Sequence, residues 1–333
     1  MELHDLAEHH LVSAAAAASI GVDPTGLHRL VKAGAIRRVI RGWYAVRVPG
    51  AQRAPWEGED AFETARLQHR LLTIALLRSF EGRVVASHQS ALVLHGLPLW
   101  QADLGTAHVC RTTTNHTRHR PSAVIHPPVP TAPVKTSEGF FTVPLSDAIV
   151  QVGLYPADEP RRRTPMDGLI AAEFALHHDL LTHEALQRAV EQHARHPGIP
   201  AVRALLHHAD GRHESPGETR LAHTMRQLGY AFTPQAPLPG GRGYRGDFLL
   251  DEDPVVVEFD GLGKYALATS TADAGSAAAY RQNLAAEKRR EEDVLRRSAH
   301  EFVRFTWAEV GNLALVRDRI DAAVARARLR RPA

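Results

Sequence analysis

The stretch that decides the fold of the C-terminal third is residues 254–261, which read PVVVEFDG. Three consecutive valines form the kind of continuous apolar run found in a strand that is buried on both faces of a sheet. Because successive strand side chains point to opposite faces, Glu258 and Asp260 share one face and Phe259 lies on the other. Two adjacent carboxylates at the end of a buried strand repel each other, so we expect a cationic partner beside them.

Two further acids precede this strand. Asp247 lies on the preceding predicted strand, eleven residues before Glu258, and its carboxylate approaches the same spot if the two strands form a hairpin. Glu218 comes from the helix in front. Converging hard oxygen ligands suit Mg²⁺ or Mn²⁺, which activate bound water and stabilise charge on a transferring phosphoryl group. The alternative is that Asp260-Gly261 is an ordinary turn signal without chemistry.

The region around these acids is predicted to have the element order α-β-β-β-α-β, which is typical of a mostly buried sheet flanked by helices. The predicted elements are helix Glu218–Leu228, strands Ala231–Ala236, Tyr244–Leu250 and Pro254–Asp260, helix Glu287–Ser298, strand Glu301–Thr306 and a last basic helix Asn312–Leu329. The glycine-rich segment 240–246 leads into a strand and lacks the ending of a phosphate loop, so it is interpreted as a hairpin turn. We expect no organic cofactor.

The N-terminal region is predicted to fold as helix, turn, helix and hairpin. The alanine-rich segment Val12–Ile20 predicts a first helix, and Asp23 before Pro24 predicts the start of a second one that ends before Gly34. Two short strands, Ala35–Ile40 and Trp43–Val48, are joined by a two-residue turn, Arg41-Gly42. A helix-turn-helix followed by such a hairpin is a winged helix.

Charge is distributed unevenly over this region. Residues 24–53 contain seven basic side chains and no acidic one. In a winged helix, the cations of the second helix and of the hairpin lie where the phosphates of bound DNA would be. The alternative is a basic face that is only solvated. The predicted DNA-binding residues are His28, Arg29, Lys32, Arg37, Arg38 and Arg41.

Residues 54–210 are predicted to form a mixed α/β connector without evident chemistry. The predicted helices are Glu59–Phe80, Ser87–His95, Leu145–Gly153, Asp167–His177, His183–His193 and Ala201–Ala209, and the predicted strands are Thr106–Arg111, Ala123–His126 and Gly139–Val143. No repeat at a fixed period is visible, which argues against a solenoid.

Composition excludes several classes of protein. At roughly 100–200 residues per domain, 333 residues make two or three domains, and 44% hydrophobic residues suffice for conventional cores. The single cysteine, Cys110, excludes a disulfide scaffold and a thiolate zinc site. The 21 histidines include no His-Glu-x-x-His pattern and are interpreted as surface or helix-end residues. Neither a membrane span nor a secretory signal is visible, so we expect a cytoplasmic protein.

The C-terminal third resembles the PD-(D/E)XK nuclease superfamily, in the branch similar to very-short-patch-repair endonucleases. The segments that carry the resemblance are Ser215-Pro216-Gly217-Glu218, Gly246-Asp247, Val257-Glu258-Phe259-Asp260-Gly261 with Lys264-Tyr265, residues 287–292 (EKRREE) and Val303-Arg304-Phe305-Thr306-Trp307. The resemblance implies a restriction-endonuclease-like fold in which Asp247, Glu258 and Glu218 hold Mg²⁺ or Mn²⁺. Asp260 stands where the superfamily pattern has a lysine, and Lys264 or Lys288 is the substitute, with Lys264 favoured.

The implied reaction is phosphodiester hydrolysis by metal-bound water, with Lys264 offsetting the developing negative charge. The predicted catalytic residues are Glu218, Asp247, Glu258, Asp260 and Lys264. Opposite charges recur at i,i+4 on the helix at 287–298, as in Lys288 with Glu292. A solvated salt-bridged face and DNA contact through Lys288 and Arg289 therefore both stay open.

The N-terminal segments 30–34 (LVKAG) and 38–46 (RVIRGWYAV) resemble the winged-helix domain of AbiEi-type antitoxins and related regulators. We therefore expect a winged helix at residues 1–53, an AbiEi-like α/β connector at 54–210 and a nuclease domain at 211–333. The expected function is a metal-dependent endonuclease acting on double-stranded DNA, as a monomer or a homodimer. The alternative is a non-catalytic antitoxin-like transcriptional regulator with a degenerate nuclease fold, which Asp260 in the lysine position favours. An RNA-directed nuclease is a weaker alternative.

Overall fold

In the computed structural model, the described residues are 2–100, 102–113, 116–154, 166–238, 245–261 and 300–330. The chain divides into two compact units, residues 1–172 with 181–209 and residues 173–180 with 210–333. Both units mix helices and strands, which confirms an α/β protein with several sheets. The predicted boundary after residue 53 falls inside the first unit, and the one after residue 210 lies beside the start of the second unit's long segment. No helix in the described ranges is long and apolar enough to cross a membrane.

The first unit begins with two short helices and a three-stranded antiparallel sheet. Its elements are β1 (Leu11–Ser13), α1 (Ala14–Ser19), α2 (Pro24–Lys32), β2 (Ile36–Ile40) and β3 (Trp43–Val46), and the strand order is β1-β3-β2. The Asp23 side chain accepts a hydrogen bond from the Gly26 N–H at 2.6 Å, which caps α2. Gly42 in the hairpin turn has φ 81°, a left-handed conformation that favours glycine. The predicted helix, turn, helix and hairpin are thus confirmed.

The helix predicted over Val12–Ile20 is wrong at its start. Leu11 and Val12 pair with Ala45 and Tyr44 of β3, and both are buried. The Ser13 hydroxyl accepts a hydrogen bond from the Ala16 N–H at 3.0 Å, so α1 begins only after this residue. Pairing with a distant strand overrides the helix propensity of the alanine-rich segment here.

The rest of the first unit is built on a six-stranded mixed sheet with the order β6-β7-β5-β4-β9-β8. Its strands are β4 (Val84–Ala86), β5 (Ala107–Arg111), β6 (Arg118–Arg120), β7 (Ala123–His126), β8 (Val134–Lys135) and β9 (Phe141–Thr142). Its helices are α3 (Ala61–Ser79), α4 (His88–Leu94), α5 (Leu145–Leu154), α6 (Met166–His177, which continues into the second unit), α7 (His183–Gln192) and α8 (Ile199–Leu206). These helices match the predicted ones except at their ends, whereas the sequence does not predict β4, β6 and β8, which have two or three residues each.

The second unit contains a four-stranded sheet of order β10-β11-β12-β13. Its elements are α9 (Pro216–Leu228), β10 (Phe232–Pro237), β11 (Arg245–Leu250), β12 (Val255–Asp260), β13 (Glu301–Thr306) and α10 (Leu313–Arg330). Strand β11 is antiparallel to both β10 and β12, and β12 and β13 are parallel. Phe248 and Phe305 are fully buried among residues of α9 and α10. The order of these elements matches the prediction, and the predicted helix 287–298 lies outside the described residues.

Candidate nucleic-acid interface and acidic face

Helix α2 separates an apolar side from a polar one. Leu27 is buried in the N-terminal core, against which Leu30 packs, because positions three and four apart share a helix face. The polar residues predicted to bind DNA, His28, Arg29 and Lys32, are all exposed. The helix therefore presents two cations and one imidazole to solvent.

The hairpin adds three more exposed cations. Arg37 and Arg38 are neighbours on β2 and therefore point to opposite faces of the strand, and Arg41 lies in the turn. The Arg37 guanidinium donates a hydrogen bond to the Gln68 side chain of α3 at 2.9 Å. All six predicted DNA-binding residues of the N-terminal segment are thus on the surface.

These cations differ from other basic residues nearby in their partners. Arg47 forms an ion pair with Glu57, and Arg53 forms one with Glu59, each at 3.1 Å. Among the described residues, no carboxylate lies within 4.0 Å of the basic groups of the four cations Arg29, Lys32, Arg38 and Arg41. We call these four residues the basic cluster. Its positive charge is not neutralised locally, which is the condition for attracting a polyanion.

The back of the hairpin is fixed against the rest of the first unit. Val39 and Ile40 pack on Leu72 and Leu76 of α3 and on Ala107 of β5. This contact buries one side of the hairpin. Arg38 and Arg41 stay exposed while the hairpin that carries them is held in place.

In the second unit, the two strand acids lie on neighbouring strands. Phe248 pairs with Val257 and Leu249 with Val256, so the antiparallel register continued by one residue sets Asp247 across from Glu258. The Asp247 carboxylate accepts a hydrogen bond from the Phe259 N–H at 2.7 Å. This register sets the two residues opposite one another, and a site shared by their carboxylates stays a prediction.

The cationic partner expected beside Glu258 is an arginine. Glu258 is buried, 5% exposed, and accepts a hydrogen bond from Arg304 Nε at 2.9 Å. Arg304 occupies the matching position on the parallel strand β13. Arg304 could not be identified in this role from the sequence, because the sequence does not show the register of β12 with β13. Asp260 is half-buried at the end of β12.

Glu218 is held by the start of its own helix. One carboxylate oxygen accepts from the Ser215 hydroxyl at 2.9 Å, and the other accepts from the Glu214 N–H at 2.9 Å and from the Gln235 amide at 3.1 Å. The Ser215 hydroxyl in turn caps the Glu218 N–H at 3.2 Å, so the pair forms a variant of the capping box. The Ser-x-x-Glu spacing is a sequence signal for this role.

Glu218 lies on α9, and its amide partner Gln235 lies on β10, the strand next to the one that carries Asp247. Helix α9 packs through Leu221 on the face that contains Phe248 and Val257, whereas strand alternation turns Glu258 to the face of Val256. Among the described residues, Glu218, Asp247 and Glu258 do not form a set whose carboxylate oxygens all lie within 4.8 Å of one another. The three-carboxylate metal site stays a prediction, and Lys264, Lys288 and Arg289 lie outside the described residues.

Several histidines are buried, although the sequence predicted surface or helix-end positions for them. His69 of α3, His108 of β5 and His213 are buried, so the description of the histidines as surface or helix-end residues is wrong for these three. No local spacing marks them, because their neighbours come from distant segments. In the described part of the chain, the one group of three or more potential metal ligands within 4.8 Å of one another is His88, His108 and His126.

The N-terminal geometry, a helix-turn-helix with an antiparallel hairpin and an unneutralised basic cluster, defines a class of DNA-binding domain. Residues 1–47 match the model of a family described as transcriptional regulator, AbiEi antitoxin. The match covers α1, α2 and the hairpin, which confirms the resemblance of this segment. A comparison with curated proteins gives no match.

Proposed function

We propose that this protein is a DNA-binding transcriptional regulator of the AbiEi antitoxin type. The observation that carries the proposal is the basic cluster, four exposed cations without a carboxylate partner among the described residues, on the segment that matches the regulator family. A winged helix of this kind places its second helix in the major groove of duplex DNA. On that basis α2 carries base contacts through His28 and Arg29, while hairpin cations contact phosphates.

Binding through the basic cluster has a measurable salt dependence. Each phosphate neutralised by a cation adds about 0.9 to the slope of log affinity against log salt concentration. We expect Arg29→Gln and Arg38→Gln each to weaken binding of a short mixed-sequence duplex and to reduce that slope by about one. Fluorescence anisotropy over a series of salt concentrations measures both quantities.

Arg53→Gln is the matched control, because Arg53 is an exposed cation just beyond the matched residues 1–47 and is already paired with Glu59. Its slope should equal that of the wild type. If Arg29→Gln, Arg38→Gln and Arg53→Gln have equal effects, net charge rather than the basic cluster governs binding, and the proposal is contradicted. A duplex pool selected for binding then tests sequence preference, which a regulator requires and a non-specific binder lacks.

A second candidate function is metal-dependent cleavage of DNA by the second unit. The observation that favours it is the register that sets Asp247 across from Glu258 on adjacent strands of a sheet whose element order resembles the restriction-endonuclease-like fold. Two neighbouring carboxylates fit the oxygen-ligand preference of Mg²⁺ or Mn²⁺, whereas the capping role of Glu218 does not. A divalent cation there would supply Lewis-acid stabilisation for phosphodiester hydrolysis.

The residues around this acid pair have definable roles in that candidate function. The Phe259 N–H orients the Asp247 carboxylate, and the Arg304 guanidinium orients that of Glu258. A lysine beside the acids would offset charge on the phosphate, and Lys264 is the residue proposed for it.

Cleavage of supercoiled and linear DNA with Mg²⁺ or Mn²⁺, against EDTA, tests the second candidate. Cutting should be lost in Asp247→Asn and in Lys264→Ala while DNA binding persists. Asp251→Asn is the matched control, since Asp251 is an exposed aspartate after β11 that accepts from the Thr233 hydroxyl. If the wild type binds DNA and cuts no form of it, the nuclease candidate is rejected and the regulator function is kept. If Asp247→Asn cuts as well as the wild type, the acid pair is not catalytic.

A further inference from the structure

Three histidines meet in the first unit, far in sequence from both candidate sites. His88 is the first residue of α4, His108 lies in β5 and His126 ends β7. Each contributes a ring nitrogen to a group whose members all lie within 4.8 Å of one another. His108 Nδ1 and His126 Nε2 are 2.9 Å apart, and the His88 and His126 rings stack with centroids 4.1 Å apart.

The fold brings these rings together through sheet register. Strands β5 and β7 are parallel, with His108 beside Val124 and Cys110 beside His126, so the two histidines lie on one face of adjacent strands. Strand β4 pairs with β5 on its other side, and the chain enters α4 at His88 directly after Ser87. The rings therefore come from three elements that the six-stranded sheet holds in place.

The environment keeps the rings neutral. His88 and His108 are 6% and 2% exposed, and His126 is half-buried. Burial, together with the neighbouring imidazoles, lowers the pKa of His108 to about 3 and that of His88 well below its ordinary value. Burial likewise lowers the pKa of His126 to about 4. At neutral pH each ring is the uncharged imidazole, which is the form that binds a transition metal.

The donor set and its spacing fit a zinc-like cation. Nitrogens bound at about 2.0–2.1 Å to a tetrahedral Zn²⁺ are about 3.3–3.4 Å from one another. The distance between His108 Nδ1 and His126 Nε2, 2.9 Å, and the 4.8 Å limit on the whole group bracket that value. Three neutral imidazoles suit Zn²⁺, Cu²⁺ or Ni²⁺, whereas Mg²⁺ and Ca²⁺ prefer oxygen ligands.

Polar groups next to the rings orient them as outer ligands do in metal sites. His88 Nδ1 lies 3.0 Å from the Ser87 hydroxyl, which fixes the orientation of that ring. The His88 backbone N–H donates to the Gln151 side chain at 3.1 Å. His88 has φ 51°, a left-handed conformation that is uncommon outside glycine and that the surroundings must hold in place.

We propose that His88, His108 and His126 form a three-imidazole binding site for Zn²⁺, with a fourth position for water or another ligand. The site ties α4 to β5 and β7, and β5 also contributes Ala107 to the surface on which the basic hairpin packs. It is independent of the acidic pair, whose oxygen ligands select a different class of cation. The competing explanation is a metal-free cluster held by a hydrogen bond between the His108 and His126 rings.

Metal titration distinguishes the two. The full-length protein, stripped with EDTA and then freed of it, is titrated with Zn²⁺ in competition with a chromophoric chelator. We expect one tight site in the wild type and binding at least about 100-fold weaker in His126→Gln, whose half-buried position limits the effect on folding. His207→Gln, which removes an exposed histidine of the same unit, should bind as the wild type does. Equal affinities of wild type and His126→Gln would overturn the proposal.

X-ray absorption at the zinc edge needs no variant and decides the matter if His126→Gln does not fold. The wild type with one equivalent of Zn²⁺ should show imidazole scattering from three histidines at about 2.0–2.1 Å. A spectrum with oxygen ligands and fewer imidazoles would assign the metal to the protein surface. Circular dichroism of His126→Gln, without metal, confirms that a loss of affinity is not a loss of fold.

Discussion

Gly217→Ala should destabilise the second unit although alanine is the better helix former. Gly217 is buried in the first turn of α9, and a Cβ at this position would lie 2.0, 2.2 and 2.4 Å from three ring carbons of Phe259. Carbon atoms in contact normally lie about 3.5–4.0 Å apart, so the ring has to move. The ring is also in edge contact with Trp307, at a centroid distance of 5.2 Å, which restricts that movement.

The magnitude follows from two opposing terms. Replacing glycine by alanine within a helix gains about 0.5–1 kcal/mol, and overpacking a well-packed site costs about 1–3 kcal/mol. The overlap at Gly217 places the cost at the upper end, so we expect a net loss of about 2 kcal/mol. Because the Phe259 N–H holds the Asp247 carboxylate, the same displacement disturbs the acid pair.

Urea unfolding of the full-length protein, followed by tryptophan fluorescence and circular dichroism, measures this loss. Phe259→Leu identifies the transition of the second unit and supplies the second arm of a double-mutant cycle. In the Phe259→Leu background, Gly217→Ala should cost less, with a coupling energy of about 0.5–3 kcal/mol. A Gly217→Ala protein as stable as the wild type, or effects that simply add in the double mutant, would refute the contact.

Three further predictions concern single contacts. Arg304→Ala should lower the free energy of unfolding in urea by about 1.5–3 kcal/mol, because Glu258 loses a charged hydrogen bond. Arg304→Lys should restore part of this stability. Equal losses in both variants would contradict the role of Arg304 as the partner of Glu258. Burial lowers the pKa of His69 to about 4 from 6.5, so the unfolded chain binds a proton that the folded chain does not. Stability should therefore fall as the pH drops from 6.5 towards 4, by up to about 1.4 kcal/mol per pH unit, and His69→Gln in EDTA should show a correspondingly smaller slope. Leu72→Ala should lower the free energy of unfolding by about 2–4 kcal/mol and lower the melting temperature, because it opens a cavity behind the hairpin. Leu329→Ala is the control, because this leucine is 86% exposed and its loss should leave the melting temperature unchanged.

Local signals predicted the elements that depend on local physics. The valine run before Glu258 forms a buried strand, and Asp23 caps a helix that begins at Pro24. The strand Leu11–Ser13 escaped prediction because its three residues are stabilised by pairing with β3, some thirty residues away. Short strands of this kind carry too few residues for a periodic pattern.

The candidate sites show the same division. Strand alternation assigns Glu258 and Asp260 to one face, but it does not show which face of the sheet α9 covers. Glu218 stays a predicted ligand, and the structure adds a second role for it, because Glu218 and Ser215 cap the start of α9. The histidine site was not predictable, since His88, His108 and His126 meet only through the register of a six-stranded mixed sheet.

In the described residues, the arginines of α10 differ from the basic cluster in how much of their positive charge is neutralised by carboxylates. The C-terminal helix α10 was predicted as a basic helix, yet Arg326 and Arg330 pair with Glu301, and Arg328 pairs with Asp253. A buried carboxylate of the same unit partly neutralises the charge of each of these arginines. Because phosphate binding scales with cations that are available to displace counterions, we expect α10 to add less to DNA affinity than the basic cluster does. Arg328→Gln should therefore lower the stability of the second unit while leaving the salt slope of DNA binding near that of the wild type, and a slope reduced by about one would place DNA on α10 instead.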